Sequence, residues 1–69
     1  MEFKETIWEN NPRWDKIEFI GKWTSMEVES VDQDGDLEIT ITNDGEEFRV
    51  FLNQENIQQL ITHLQKQLK

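Results

Sequence analysis

Sixty-nine residues with no cysteine, one histidine and a formal net charge of −8 leave room for one small core, and they exclude disulfides and thiolate metal sites. No apolar run approaches the roughly 18 residues of a membrane span, and the anionic balance disfavours nucleic acid and anionic membrane while favouring basic surfaces. A chain this short buries only about 60% of the surface its unfolded form exposes, so stability must come from packing by its three Trp and four Phe or from self-association.

Glu2 and Glu5 around Phe3 and Lys4 lack the basic-then-apolar pattern of a secretory signal, and together with the absence of cysteine this points to the cytoplasm. Residues 1–15 are ambiguous, because Phe3 and Ile7 fit both a helix face and strand alternation, and Asn10-Asn11-Pro12 marks a turn. Residues 16–23 have strand composition, with Ile17, Phe19 and Trp23 on one parity. Gly21 either marks a bulge that carries this strand into the next or precedes a turn through Thr24 and Ser25.

Two Asp-Gly pairs, at 34–35 and 44–45, announce hairpins, because type I′ turns need positive φ at both central positions. With Asp44-Gly45 as the loop, Ile41 faces Phe48, Ile39 faces Val50 and Leu37 faces Leu52. The opposite face then pairs Thr42 with Glu47, Thr40 with Arg49 and Glu38 with Phe51. With Asp34-Gly35 as a two-residue loop, Val28 faces Ile41, Glu29 faces Thr40 and Val31 faces Glu38. A register slipped by two would set Glu29 against Glu38, a like-charge pair, so the first register is preferred. Strands follow at about 26–32, 37–43 and 46–52.

A helix is expected over about 53–68. Ile57, Leu60, Ile61, Leu64 and Leu68 form one apolar stripe, Asn53 is a suitable N-cap, and Leu52 and Ile57 are placed for a hydrophobic staple. Glu55 in the first turn and Lys66 and Lys69 near the end match the helix dipole. A striped helix and strands with one apolar parity bury both best against each other. The expected fold is therefore α+β, one domain over residues 1–69: an antiparallel meander of three or four strands within 16–52, with the helix packed on its apolar face.

Charge distribution is the main functional clue. Nine of the fifteen acids, Glu27, Glu29, Asp32, Asp34, Asp36, Glu38, Asp44, Glu46 and Glu47, lie between residues 27 and 47 without an intervening Lys or Arg. The remaining residues sum to +1. Phe51 projects from the outer face across from Glu38, as an interface anchor would unless residues 1–14 fold over it.

Other chemistry finds weaker support. Asp32, Asp34 and Asp36 occupy positions 1, 3 and 5 of a calcium loop, but Leu37 and Asn43 stand where Gly and Glu are required, so a polar turn is expected and no metal. His63 flanks the helix stripe, and neither Ser25 nor Ser30 has the context of a nucleophile. Paired carboxylates on hairpins lack the cleft that separates their pKa values, and a domain this small has little volume for a ligand pocket. Neither cofactor nor catalysis is expected. Trp8, Trp14 and Trp23 offer a stacking platform beside Arg13, Lys16 and Lys22, although core filling is expected for at least two of them.

The expected function is stoichiometric binding of another protein with a basic surface. Carboxylates at i and i+2 on a strand stand about 6.7 Å apart, comparable to successive phosphates on one nucleic-acid strand. Size and charge are analogous to those of phage or mobile-element inhibitors that block nucleases and defence complexes by charge mimicry. The alternative is an interaction or assembly module, such as a homodimer, using the outer sheet face around Phe51. Direct nucleic-acid binding would need a basic footprint that this chain lacks.

Overall fold

The computed structural model describes residues 1–69. Strands β1 (Glu2–Thr6), β2 (Lys16–Ile20), β3 (Thr24–Glu29), β4 (Leu37–Asn43) and β5 (Glu46–Leu52) pair in chain order as one antiparallel meander, followed by helix α1 (Gln54–Gln65). The architecture is α+β, but with five strands rather than three or four. The additional strand is β1, in the segment whose spacing suited either structure. It is a strand because Phe3 pairs with Phe19, their rings 5.3 Å apart, a long-range contact invisible to local periodicity.

The registers divide the sheet cleanly. Phe3, Phe19, Met26, Ile41 and Phe48 form one apolar row across all five strands, and Ile17, Val28, Ile39 and Val50 form a second. The reverse face carries Lys4, Glu18, Glu27, Thr40 and Arg49 in one row and Glu2, Ile20, Ser25, Thr42 and Glu47 in another. Strand alternation turns the hydropathy pattern into two chemically distinct faces.

The β4–β5 hairpin adopts the register read from the sequence at every pair. Asp44 (φ 50°) and Gly45 (φ 83°) both occupy the left-handed region that a type I′ turn demands. The β3–β4 hairpin does not follow the preferred register. Val28 faces Ile39, Met26 faces Ile41 and Glu27 faces Thr40, a slip of two that sets Glu29 across from Glu38.

The cause lies in the loop, which is longer than two residues. Asp32 Oδ1 accepts from Asp34 N (2.9 Å) and Asp36 N (3.0 Å), while Gly35 N donates to Asp32 O and Asp32 N donates to Asp36 O. One carboxylate organises a wider turn, with Gly35 at φ +82°. The slip also gives Met26 an apolar partner where the other register would oppose it to Asn43. Between β2 and β3, Gly21 N donates to Thr24 O at 2.8 Å, so Gly21 enters a turn rather than a bulge; a Cβ there would meet the same oxygen at 2.8 Å.

Helix α1 starts as expected and ends early. Asn53 Oδ1 accepts from Asn56 N (2.8 Å) and Asn56 Oδ1 accepts from Asn53 N (3.2 Å), a reciprocal cap. Past Gln65 the chain tightens, with Lys66, Gln67 and Leu68 N–H groups bonding three residues back. The expected cover of the sheet is incomplete. Ile39 is the single buried residue, at 8% exposure, and along the helix stripe exposure climbs from 38% at Leu60 to 53% at Leu64 and 81% at Leu68. The principal contact of α1 is with β5, the edge strand it follows, and Ile41, Phe48 and Val50 on the apolar face stay exposed beside it.

The tryptophans are the other correction. All three lie outside the core, 49–66% exposed. Trp8 and Trp14 belong to the β1–β2 connection, which includes a 3-10 turn at Pro12–Trp14, and Trp23 lies in the β2–β3 turn. A single sheet with one short helix has no second layer in which to bury them.

Candidate functional site

The polar face of the sheet is concave. A trough of about 460 Å³ runs over it, lined by Glu18, Glu27, Glu29, Glu38 and Glu47, with Arg49 and the hydroxyls of Ser25, Thr40 and Thr42 between them. No hydrophobic side chain enters the lining. Its volume falls in the range of ligand pockets, but it is a half-open and wholly polar surface rather than an enclosed cavity. Curvature of one sheet supplies that volume, and no second layer is needed.

Two cations partly balance the carboxylates. Lys16 Nζ donates to Glu27 Oε1 at 2.6 Å and lies 3.8 Å from Glu18. That hydrogen bond first, and the nearby negative charge second, raise the Lys16 pKa above its ordinary value. Arg49 bonds Glu47 Oε1 at 3.0 Å and lies 3.6 Å from Glu38, and its pKa is raised chiefly by the hydrogen bond to Glu47. Glu29 has no ion pair; the like-charge juxtaposition with Glu38 is softened because Lys16 stands opposite Glu29 in the ladder and Arg49 stands beside Glu38.

The structure does not gather all nine clustered acids. Glu27, Glu29, Glu38 and Glu47 face the trough, joined by Glu18, which the sequence reading left out because it precedes the acidic run. Its place follows from the β2–β3 register, which sets it directly against Glu27. Asp32, Asp34 and Asp36 cluster in the β3–β4 loop, and Asp44 occupies the turn at the other end of β4, about 26 Å away along the strand. Glu46 shares the parity of the apolar residues of β5. Asp32 has its Oδ1 committed to two backbone N–H groups, which makes it a loop organiser. No three His, Asp or Glu side chains converge to hold a metal ion.

Aromatic side chains flank the trough. Phe51 pairs with Glu38 on the polar face and is 61% exposed, because residues 1–14 cross the opposite edge as β1 and its connection instead of covering it. On that opposite side Trp8 and Trp14 meet edge to face, rings 5.3 Å apart at 88°, and with Thr6, Arg13, Lys16 and Glu29 they line a second hollow of about 440 Å³. Glu29 belongs to both concavities. The connection is held by Trp8 N donating to Asp15 Oδ1 (2.7 Å), and by Ser30 Oγ reaching the carbonyls of Asp15 (2.7 Å) and Pro12 (3.0 Å). Core filling was expected for at least two of the three tryptophans, and neither Trp8 nor Trp14 fills the core. The signal that could have placed this pair outside is its position around Asn10-Asn11-Pro12, a turn.

His63 is exposed on α1, and neither Ser25 nor Ser30 bonds to it. Fold and site together describe a small α+β protein whose single curved sheet presents an acidic trough with aromatic shoulders. No family model, no curated protein and no solved structure matches the chain. No helix is long and apolar enough to cross a membrane.

Proposed function

We propose that this protein is a non-enzymatic, stoichiometric binder whose acidic trough receives the basic surface of another protein in the cytoplasm. The partner best suited to it is a nucleic-acid-binding protein, which would be blocked by charge mimicry as small phage or bacterial inhibitors block nucleases and defence complexes. One observation carries the reading: five glutamates from four strands share one concave face, with an exposed Phe51 at one side and the Trp8–Trp14 pair at the other. Spaced carboxylates steer a cationic partner and fix its register, while desolvated aromatic anchors supply most of the residence time.

The alternative, an assembly module using the outer face around Phe51, is favoured by the exposure of that ring. Salt separates the two. Binding through the trough weakens steeply as ionic strength rises, whereas association through Phe51 tolerates salt.

The test uses immobilised protein to capture partners from its source cells. Wild type should retain a nucleic-acid-binding protein and release that partner's nucleic acid in proportion to the amount added. Glu29→Lys, which spares both ion-paired cations and reverses a charge in the trough lining, should weaken capture severely. Equal capture by the variant would leave the trough as solvated surface only.

A further inference from the structure

The apolar face is unfinished in a single chain. Phe3, Phe48, Val50 and Ile41 are exposed on the sheet, and Ile61 and Leu64 on the helix. A folded monomer of 8.3 kDa exposes about 4,600 Å², whereas this chain exposes 5951 Å². The radius of gyration is 13.0 Å, against about 11 Å for a compact domain of this length. The excess of roughly 1,350 Å² per chain, doubled, gives about 2,700 Å², within the range of obligate homodimer interfaces.

We infer that a second copy of this chain covers the face: two molecules pack apolar sheet against apolar sheet about a two-fold axis, each helix stripe closing over the other's exposed rows. Self-complementarity is already present, because one chain carries both an open sheet face and an incompletely used amphipathic helix, as an isologous interface requires. Charge selects the same arrangement. The trough acids point away from this face, and the two acids on its parity, Glu5 and Glu46, lie on the edge strands where they stay in water. The dimer therefore forms without opposing the two clusters, and both troughs face outward. Edge-to-edge pairing is the poorer solution, since β1 presents Glu2, Lys4 and Glu5 and β5 presents Glu46, Glu47 and Arg49. This interface lies on the sheet face opposite Phe51 and does not depend on what the trough binds.

Sedimentation equilibrium of the full chain tests the inference. The expected mass is twice 8.3 kDa, with association unchanged or tightened by added salt, because the copies repel each other only through screened charge. Leu64→Glu should raise the dimer dissociation constant by roughly 100-fold or more, while Gln59→Glu, on the opposite side of α1, should leave it unchanged. A wild type that sediments as 8.3 kDa at about 100 μM, in the range of ordinary weak association, overturns the inference, as does a Leu64→Glu protein that dimerises as tightly as wild type. Should Leu64→Glu fail to fold, the wild-type melting temperature decides. It must rise with protein concentration if folding and dimerisation are linked, and a concentration-independent value contradicts the dimer.

Discussion

The two faces of the sheet differ in how completely one chain satisfies them. On the polar face, charges are paired where pairing is available, through Lys16 with Glu27 and Arg49 with Glu47, and half-buried Thr40 and Thr42 line the floor. On the apolar face a single residue, Ile39, is buried, and it still keeps 8% exposure. The contrast teaches that the two surfaces have different uses. The polar one is complete as a solvent-facing surface, whereas the apolar one is left open by a single chain, which is what the proposed second copy would cover.

The largest effect that could break this comparison is at Ile39. Ile39→Ala removes the one buried anchor and should cost about 2–4 kcal/mol in a denaturant titration. A loss under 1 kcal/mol would show that the sheet's second apolar row holds little of the fold. Leu60→Ala sharpens the same point, because its cost should be smaller when dilute and grow with protein concentration as the second copy covers the helix.

Next in size is the loop that sets the β3–β4 register. Asp32→Ala strips an acceptor from two backbone N–H groups and should destabilise by about 1–2 kcal/mol. Asp34→Ala, whose carboxylate makes no hydrogen bond within the chain, should sit near zero in the same melt. Equal effects would mean that Asp32 does not organise the turn.

Smaller still is the stability change on reversing trough and loop charge. Glu29→Lys with Asp36→Lys should leave the melting temperature equal or slightly raised, within about 0.5 kcal/mol, since both groups lack ion pairs and crowded acids repel. A drop of several degrees would make these carboxylates structural. The finest effect is alkaline. The raised Lys16 pKa means that its pairing favours the folded state fully below the ordinary value of 10.5 and fades as pH climbs through the higher folded value. The wild-type stability profile should therefore lose that contribution only above pH 10.5, and the Lys16→Met profile should lack the decline.

Legibility in the sequence followed how locally each feature is determined. The β4–β5 hairpin was readable to the residue, because Asp44-Gly45 dictates a turn and alternation then fixes every pair. The helix start was readable from Asn53 for the same reason. The β3–β4 register departs from the expected one because flanking cations offset the like-charge approach of Glu29 and Glu38 and the side chain of Asp32 organises a wider loop, neither of which the linear pattern displays. Strand β1 and the outward tryptophans depend on long-range pairing and on the absence of a second layer, neither of which a linear pattern carries. In the candidate site, Glu27, Glu29, Glu38, Glu47 and Phe51 were legible from strand parity. Glu18 and the Trp8–Trp14 shoulder required the β1–β2–β3 registers that bring them beside the acidic run.

The central claim, that the concave acidic face is the binding surface, is tested most directly by amide and indole NMR shifts during titration with a short arginine-rich peptide. The account predicts that perturbations concentrate on Glu18, Glu27, Glu29, Glu38 and Glu47 with the Trp8 and Trp14 indoles and Phe51, and that they collapse in high salt. Perturbations centred instead on the Asp34 and Asp44 turns, or spread evenly over every acidic residue, would contradict it.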